Sequence, residues 1–487
     1  MVENLHPGGY CLVFRKKLGL VILLMMLLAL PGYPAWPAAG DAEVEQEVRV
    51  GLVQKASQVA FSATGDYQLV DEYTGRVVSG IEPGQRWEVR HSPEGLELYR
   101  DGRLMGSFEG PLKVVGRGIK VDVLSGTGLQ VERERGLYAE GVGGRKALPD
   151  NLAGVHVLGA GGQVKKLAPD RGTGLVTLYQ GEQARRYRGD MEFRLDNAGI
   201  TVVNQLPVEE YLYGVVPAEM PAYWPAEALK AQAVAARSYV LAQKGSYASQ
   251  GFDVLATQSS QVYRGYDGEN PATTRAVDET RGIVATYGGR PISAVFHSSS
   301  GGYTENSEDV WRSPVDYLRA RPDPFDKNPQ NTHYGWSKTC TADQLKEQLA
   351  AAGYRFSEIY DLVELERTST GQRVKALAVS GLDPDGRPIT IEIGRDPLKG
   401  KADEVRRALG LKSASFSMEK VMLPPAGDGQ DGQQPRLEKV TFVGNGWGHG
   451  LGMSQYGALG MASRGYTYQE ILKYYYSGIQ IVSNYGK

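Results

Sequence analysis

The sequence predicts an α+β fold: a strand-rich frame around one central alanine-rich helix, preceded by a small β-rich domain. Three observations carry that expectation. Between Glu47 and Leu206, short runs of partly alternating apolar and polar residues are broken by glycine and Asp-Gly turns. From Ala226 to Leu241 the run AEALKAQAVAARSYVL consists largely of strong helix formers. Near the end of the chain, glycines at 446, 448, 450 and 452 mark a loop built for close backbone approach.

Taken in order, residues 1–40 read as a targeting segment. Arg15, Lys16 and Lys17 precede the 13-residue apolar run Leu18 to Leu30, and small residues follow at Ala35, Ala38, Ala39 and Gly40. A spanning helix needs about 20 apolar residues, so cleavage is expected, with an uncleaved anchor as the alternative. Either way the protein is expected to act outside the cytoplasmic membrane. Residues 41–160 form the expected β-rich accessory domain, with strands such as VRVGLVQ, RWEVRH and LELYRDG. His91 and His156 stand alone in it, and no catalytic constellation is visible there.

Residues 161–487 form the expected second domain, with core segments at 208–311 and 440–481. Strands continue through GLVTLYQG, YRGDMEFRLD and GITVVNQL. VEEYLYG reads as a short helix start whose Glu209 and Glu210 suit a helix N-terminus. Pro217 and Pro221 then place Glu219 on a stiff, non-helical turn. Pro225 opens the alanine-rich helix. Ala228, Gln232, Ala235 and Tyr239 share one of its faces, and Arg237 points elsewhere. A helix at about 271–280 and two strands lead to His297 and the Ser298–Ser300, Gly301-Gly302 loop. Downstream, Thr341 caps a helix, VKALAVSG and ITIEIG pair as a hairpin, and KADEVRRALGL is another helix. Residues 424–435 read as a flexible loop, and Gln455 and Tyr456 stand near the start of a further helix.

Composition narrows the function. Formal net charge is −2 at pH 7, so no basic field recommends a nucleic-acid partner. With two cysteines, Cys11 in the leader and Cys340 beyond it, no internal disulfide and no multi-cysteine zinc site is expected in the processed chain. The serine beside His297 lacks a G-x-S-x-G elbow, so a serine nucleophile is disfavoured. His297, Glu305, His333 and Cys340 fit no compact ligand spacing, and neither metal nor cofactor is expected. Glu219 differs: a carboxyl on a rigid segment beside Met220, Tyr223 and Trp224 has the surroundings of a general acid.

Three stretches in one order, VVPAEMPAYWPAEALKAQAVAARSYVL, AVFHSSSGGYTENSEDVW and GWGHGLGMSQYGA, resemble the SpoIID/LytB family (stage II sporulation protein D and its relatives). The resemblance spans roughly residues 200–481 and implies a lytic transglycosylase. Such an enzyme cuts the β-1,4 bond between N-acetylmuramic acid and N-acetylglucosamine in peptide-stripped peptidoglycan strands, leaving 1,6-anhydro-muramic ends. It implies Glu219 as catalytic acid and Arg237 as its positioning partner or a substrate contact. It further implies Gln258, Tyr263, His297, Thr304, Glu305, Trp447, His449 and Gln455 along the glycan groove, with His449 near Glu219. The competing implication is a non-catalytic amidase enhancer that binds the wall or a cell-wall amidase.

Overall fold

The computed structural model describes residues 46–116, 174–196, 198–396, 398–424, 435–483 and 485, together with the backbone of short strands at Cys11–Leu12 and between 120 and 166. The expected targeting segment, apart from Cys11–Leu12, lies outside the described residues, as do residues 425–434 of the expected flexible loop. Strands and helices combine in an α+β architecture, as the sequence predicts.

The N-terminal half is two packed antiparallel sheets with one short parallel edge. One sheet orders its strands Gln183–Tyr187, Leu175–Gln180, Gln58–Thr64, Trp87–Ser92, Gly95–Arg100 and Arg103–Phe108. The other runs Val254–Leu255, Glu47–Ala56, Gly199–Pro207, Asp190–Asp196, Leu112–Gly116, Tyr67–Asp71 and Arg76–Ile81. Strands from before residue 117 and from after residue 174 are therefore hydrogen-bonded neighbours within both sheets. The boundary expected at 160/161 does not divide them, because the neighbour of Glu47–Ala56 is Gly199–Pro207, more than 140 positions on. Alternating inward residues such as Val48, Val50, Phe61, Trp87, Val202 and Phe193 fill the space between the sheets.

Helix α1 (Val208–Glu219) leaves the end of Gly199–Pro207, and α2 (Ala226–Ala242) follows after a short turn. The sequence expectation for Glu219 needs correction here: it is the last residue of α1, with Pro217 inside the helix. Proline in a final turn removes one amide donor. The helix persists because Val215 and Val216 are fully buried and the Met220 N–H still bonds the Val216 carbonyl at 2.9 Å. Burial outweighs local propensity.

Helix α2 explains its own alanines. Ala233, Ala236 and Val240 belong to the core of the paired sheets, while Ala228, Ala231, Val234 and Ala235 belong to a second core. A helix pressed from both sides needs small residues for close approach. The second core also holds Trp224, Leu451, Met453, Tyr475 and Tyr476, so the C-terminal segment closes on α2. A third core, from Trp336 to Phe442, contains the Val374–Leu382/Pro388–Ile393 hairpin and the helix Ala342–Ala351 capped by Thr341 and Gln344. Cys340 is free and buried in it.

Candidate functional site

Glu219 sits half-buried at the C-terminal end of α1. Its Oε1 accepts a hydrogen bond from the Val262 N–H at 2.9 Å. Burial pushes its carboxyl up from the ordinary range, and the Val262 amide and the Arg264 guanidinium only partly offset this. The end of a helix is also where a negative charge opposes the macrodipole. Both effects favour the protonated form, the state a general acid requires.

The C-terminal motif forms the wall beside it. The Gln455 Nε2 donates to the Glu219 carbonyl at 3.1 Å and to Gln232 Oε1 at 3.4 Å, so α2 and the helix Gln455–Ala462 grip the end of α1. Gln455 is buried and serves this grip rather than the open groove expected for it. Tyr456 packs its ring on Trp224 with centroids 5.1 Å apart, and on His333 at 5.3 Å; His333 meets Trp447 at 4.7 Å. Trp447 is 46% exposed.

The two glycine loops are latched together by paired backbone bonds between Ser299 and Trp447, at 2.9 and 3.0 Å. Gly448 has φ 111°, and a Cβ there would lie 2.7 Å from the His297 Cβ. Gly452 has φ 64°, and a Cβ would lie 2.1 Å from the Val295 carbonyl oxygen. Glycine is required at both positions by conformation and by space.

Several expected contacts are placed differently. Arg237 is buried and makes a two-point ion pair with Glu209, at 2.9 and 2.6 Å, plus bonds to the Ile283 and Val277 carbonyls. Its donors are consumed there, away from Glu219. Tyr263 is a core residue whose hydroxyl donates to Asn204 at 3.0 Å. His297 is buried, with Nδ1 2.9 Å from the Leu451 carbonyl. The Ser299 hydroxyl donates to Asp326, so it has no bond to this histidine. Thr304 accepts from the Arg321 N–H, and Glu305 is enclosed with Thr370 and Arg373. His449 lies between the rings of His297 and Trp311, at 5.4 and 5.3 Å, where burial pushes its imidazole down to about 4. Its charged neighbours there are Asp403, Arg406 and the buried Arg373, rather than the Glu219 wall. Gln258 is exposed on the loop leading to Val262. The common reason is that polar residues in a tightly folded motif find internal partners first.

Two residues that sequence reasoning passed over, Asp326 and Arg373, and one that it weighed only as a metal ligand, His333, hold the site in shape. Asp326 accepts from Ser299, Ser300, Gly301, Tyr334 and Ser454, at 2.7–3.1 Å, tying both loops to the cap of the Gln455–Ala462 helix. Arg373, 1% exposed, donates to the Ser300 and Gly448 carbonyls. His333 fills the space between Tyr456 and Trp447. All three come from the segment with the weakest sequence pattern. Among the described residues, no group of three His, Cys, Asp or Glu converges as a metal site.

Residues 196–287 match the family described as Stage II sporulation protein, SpoIID, and residues 316–452 match a domain of unknown function. Stage II sporulation protein D of Bacillus subtilis (strain 168) is 36% identical over 294 residues, which cover 57% of this chain and 75% of that protein. The chain belongs to the SpoIID/LytB family. The amidase enhancer of the same organism is 34% identical over 300 residues, covering 56% of this chain and 40% of the enhancer. A Brachyspira hyodysenteriae protein of uncharacterized function is also 34% identical over 300 residues, 72% of its length. The SpoIID/LytB family is associated with the cell wall and sporulation. Glu219 and α2 lie within the matched SpoIID segment, whereas Trp447 and His333 come from the adjoining domain.

Proposed function

We propose that this protein is an exported lytic transglycosylase acting on peptidoglycan glycan strands from which peptides have been removed. The observation that carries the reading is Glu219: a carboxyl with raised proton affinity, held by one amide, at a helix end that Gln455 ties to the segment carrying Tyr456. Glu219 protonates the glycosidic oxygen as the bond from muramic C1 breaks. The resulting carboxylate takes the proton of the muramic C6 hydroxyl, and O6 closes on C1. Glu219 returns to its acid form, and the products are a 1,6-anhydro-muramic end and a free 4-hydroxyl. One carboxyl suffices for this cycle, unlike the pair that ordinary glycosidases place about the bond. The charged neighbour felt by Glu219 is the cation Arg264, in keeping with a single-acid scheme.

The likeness to an amidase enhancer supports a second reading, in which the same wall binds glycan or a cell-wall amidase without cutting. Incubation of the processed protein with peptide-free glycan strands, followed by mass spectrometry, separates them. Anhydro ends that vanish with Glu219→Gln support the transglycosylase. Products heavier by one water indicate a hydrolase. Absence of cleavage, with faster digestion on adding an amidase, supports the enhancer.

A further inference from the structure

The wall beside Glu219 continues as a row of aromatic groups whose far end carries a cation. Tyr223, 82% exposed, adjoins Trp224; Trp224 backs Tyr456; His333 bridges Tyr456 to the exposed Trp447. The Lys412 ammonium stands 5.2 Å from the centre of the Trp447 ring. Among the described residues it has no carboxylate within ion-pair distance, whereas lysines such as Lys375 and Lys399 are paired. His333 contributes an Nδ1 that is buried without a partner.

Burial is uneven along this row in a useful way. Trp224 and His333 are buried and act as supports, whereas Tyr223, Tyr456 and Trp447 keep accessible surface. A pyranose has apolar C–H faces and polar edges, so flat rings at a surface suit it better than they suit a peptide chain. A cation held over a ring at the end of such a row selects an anionic substituent. The chemistry that matches both is an amino-sugar chain bearing a free carboxylate.

We infer that Tyr223, Tyr456 and Trp447 form a glycan shelf running from Glu219, and that Lys412 pairs with the lactyl carboxylate of a peptide-free muramic acid. This rests on the glycan-strand reading of the site and adds a reason for stripped strands to be preferred. While the peptide is attached, that carboxyl is an uncharged amide and offers Lys412 no charge. Once the peptide is removed, it is an anion.

The test is binding, measured in the Glu219→Gln background so that cleavage plays no part. Titration calorimetry compares a peptide-free oligosaccharide of alternating N-acetylglucosamine and N-acetylmuramic acid with its lactyl amide and with chitotetraose. The expected result is a preference of about tenfold for the free carboxylate, the scale of one charge-assisted hydrogen bond. That preference is abolished by Lys412→Gln, while affinity for chitotetraose is kept. Trp447→Ala weakens all three ligands, and Trp447→Phe largely restores them. Equal affinity for acid and amide, or a preference that survives Lys412→Gln, overturns the inference. Undiminished binding by Trp447→Ala removes the shelf. If the parent chain binds yet makes no anhydro product, the transglycosylase reading fails while the shelf stands.

Discussion

The two ends of α1 carry two glutamates with opposite fates. Glu209, in the first turn, sits where the helix dipole favours a negative charge. It is buried against Arg237 and also accepts from the Gly282 N–H at 3.1 Å. Glu219, at the last position, faces the unfavourable end and has a single amide and a more distant guanidinium. One carboxylate is neutralised and locked; the other is desolvated without full compensation. On the proposed reading, this difference separates a structural acid from a chemical one.

The sharpest way to break this comparison is Glu219→Gln. It keeps shape and the Val262 bond but removes the proton, so glycan cleavage should fall by about 10²–10⁴-fold while thermal stability is retained. Matching loss of stability would show Glu219 to be structural as well. At the other end, Arg237→Ala leaves Glu209 buried and unpaired, which costs about 3–5 kcal/mol. Urea denaturation measures it, and an unchanged midpoint would show that the pair contributes nothing.

A third comparison uses pH. Burial, with Asp326 beside it, pushes Asp323 up to about 7, against about 3.9 for a free aspartate. The folded state then binds more protons than the unfolded chain between those values. Stability from this group is full below about pH 4 and is lost as pH rises through about 7. Asp323→Asn should flatten that part of the stability-pH curve; an identical slope in wild type and variant would contradict the shift. Glu219 moves in the same direction, so activity should decline as pH rises through its raised value. The smallest effect is expected from Gln455→Ala. Losing its bonds to Glu219 and Gln232 costs about 1 kcal/mol and reduces turnover a few-fold, with KM little changed.

Much of this was legible in the chain itself. The alanine-rich helix, the Thr341 cap, the Val374–Leu382 hairpin and the glycine loop depend on residues within a few positions of each other. Such local rules act through φ/ψ preference and short hydrogen bonds, and sequence displays them directly. Glu219 was legible as a residue, but its backbone state was not: proline chemistry argued for a turn, and burial of Val215 and Val216 kept the helix. The partners of Arg237, His449 and Gln455 were hidden for a different reason. Gln455 meets Glu219 across 236 positions, and Arg373 reaches Ser300 across 73. Which buried polar group finds which depends on how distant segments are brought together, and no local pattern encodes that meeting. The chain alone therefore determined its elements, its motifs and its family. Only the folded structure decided which glutamate is neutralised, because that depends on where α2 delivers Arg237.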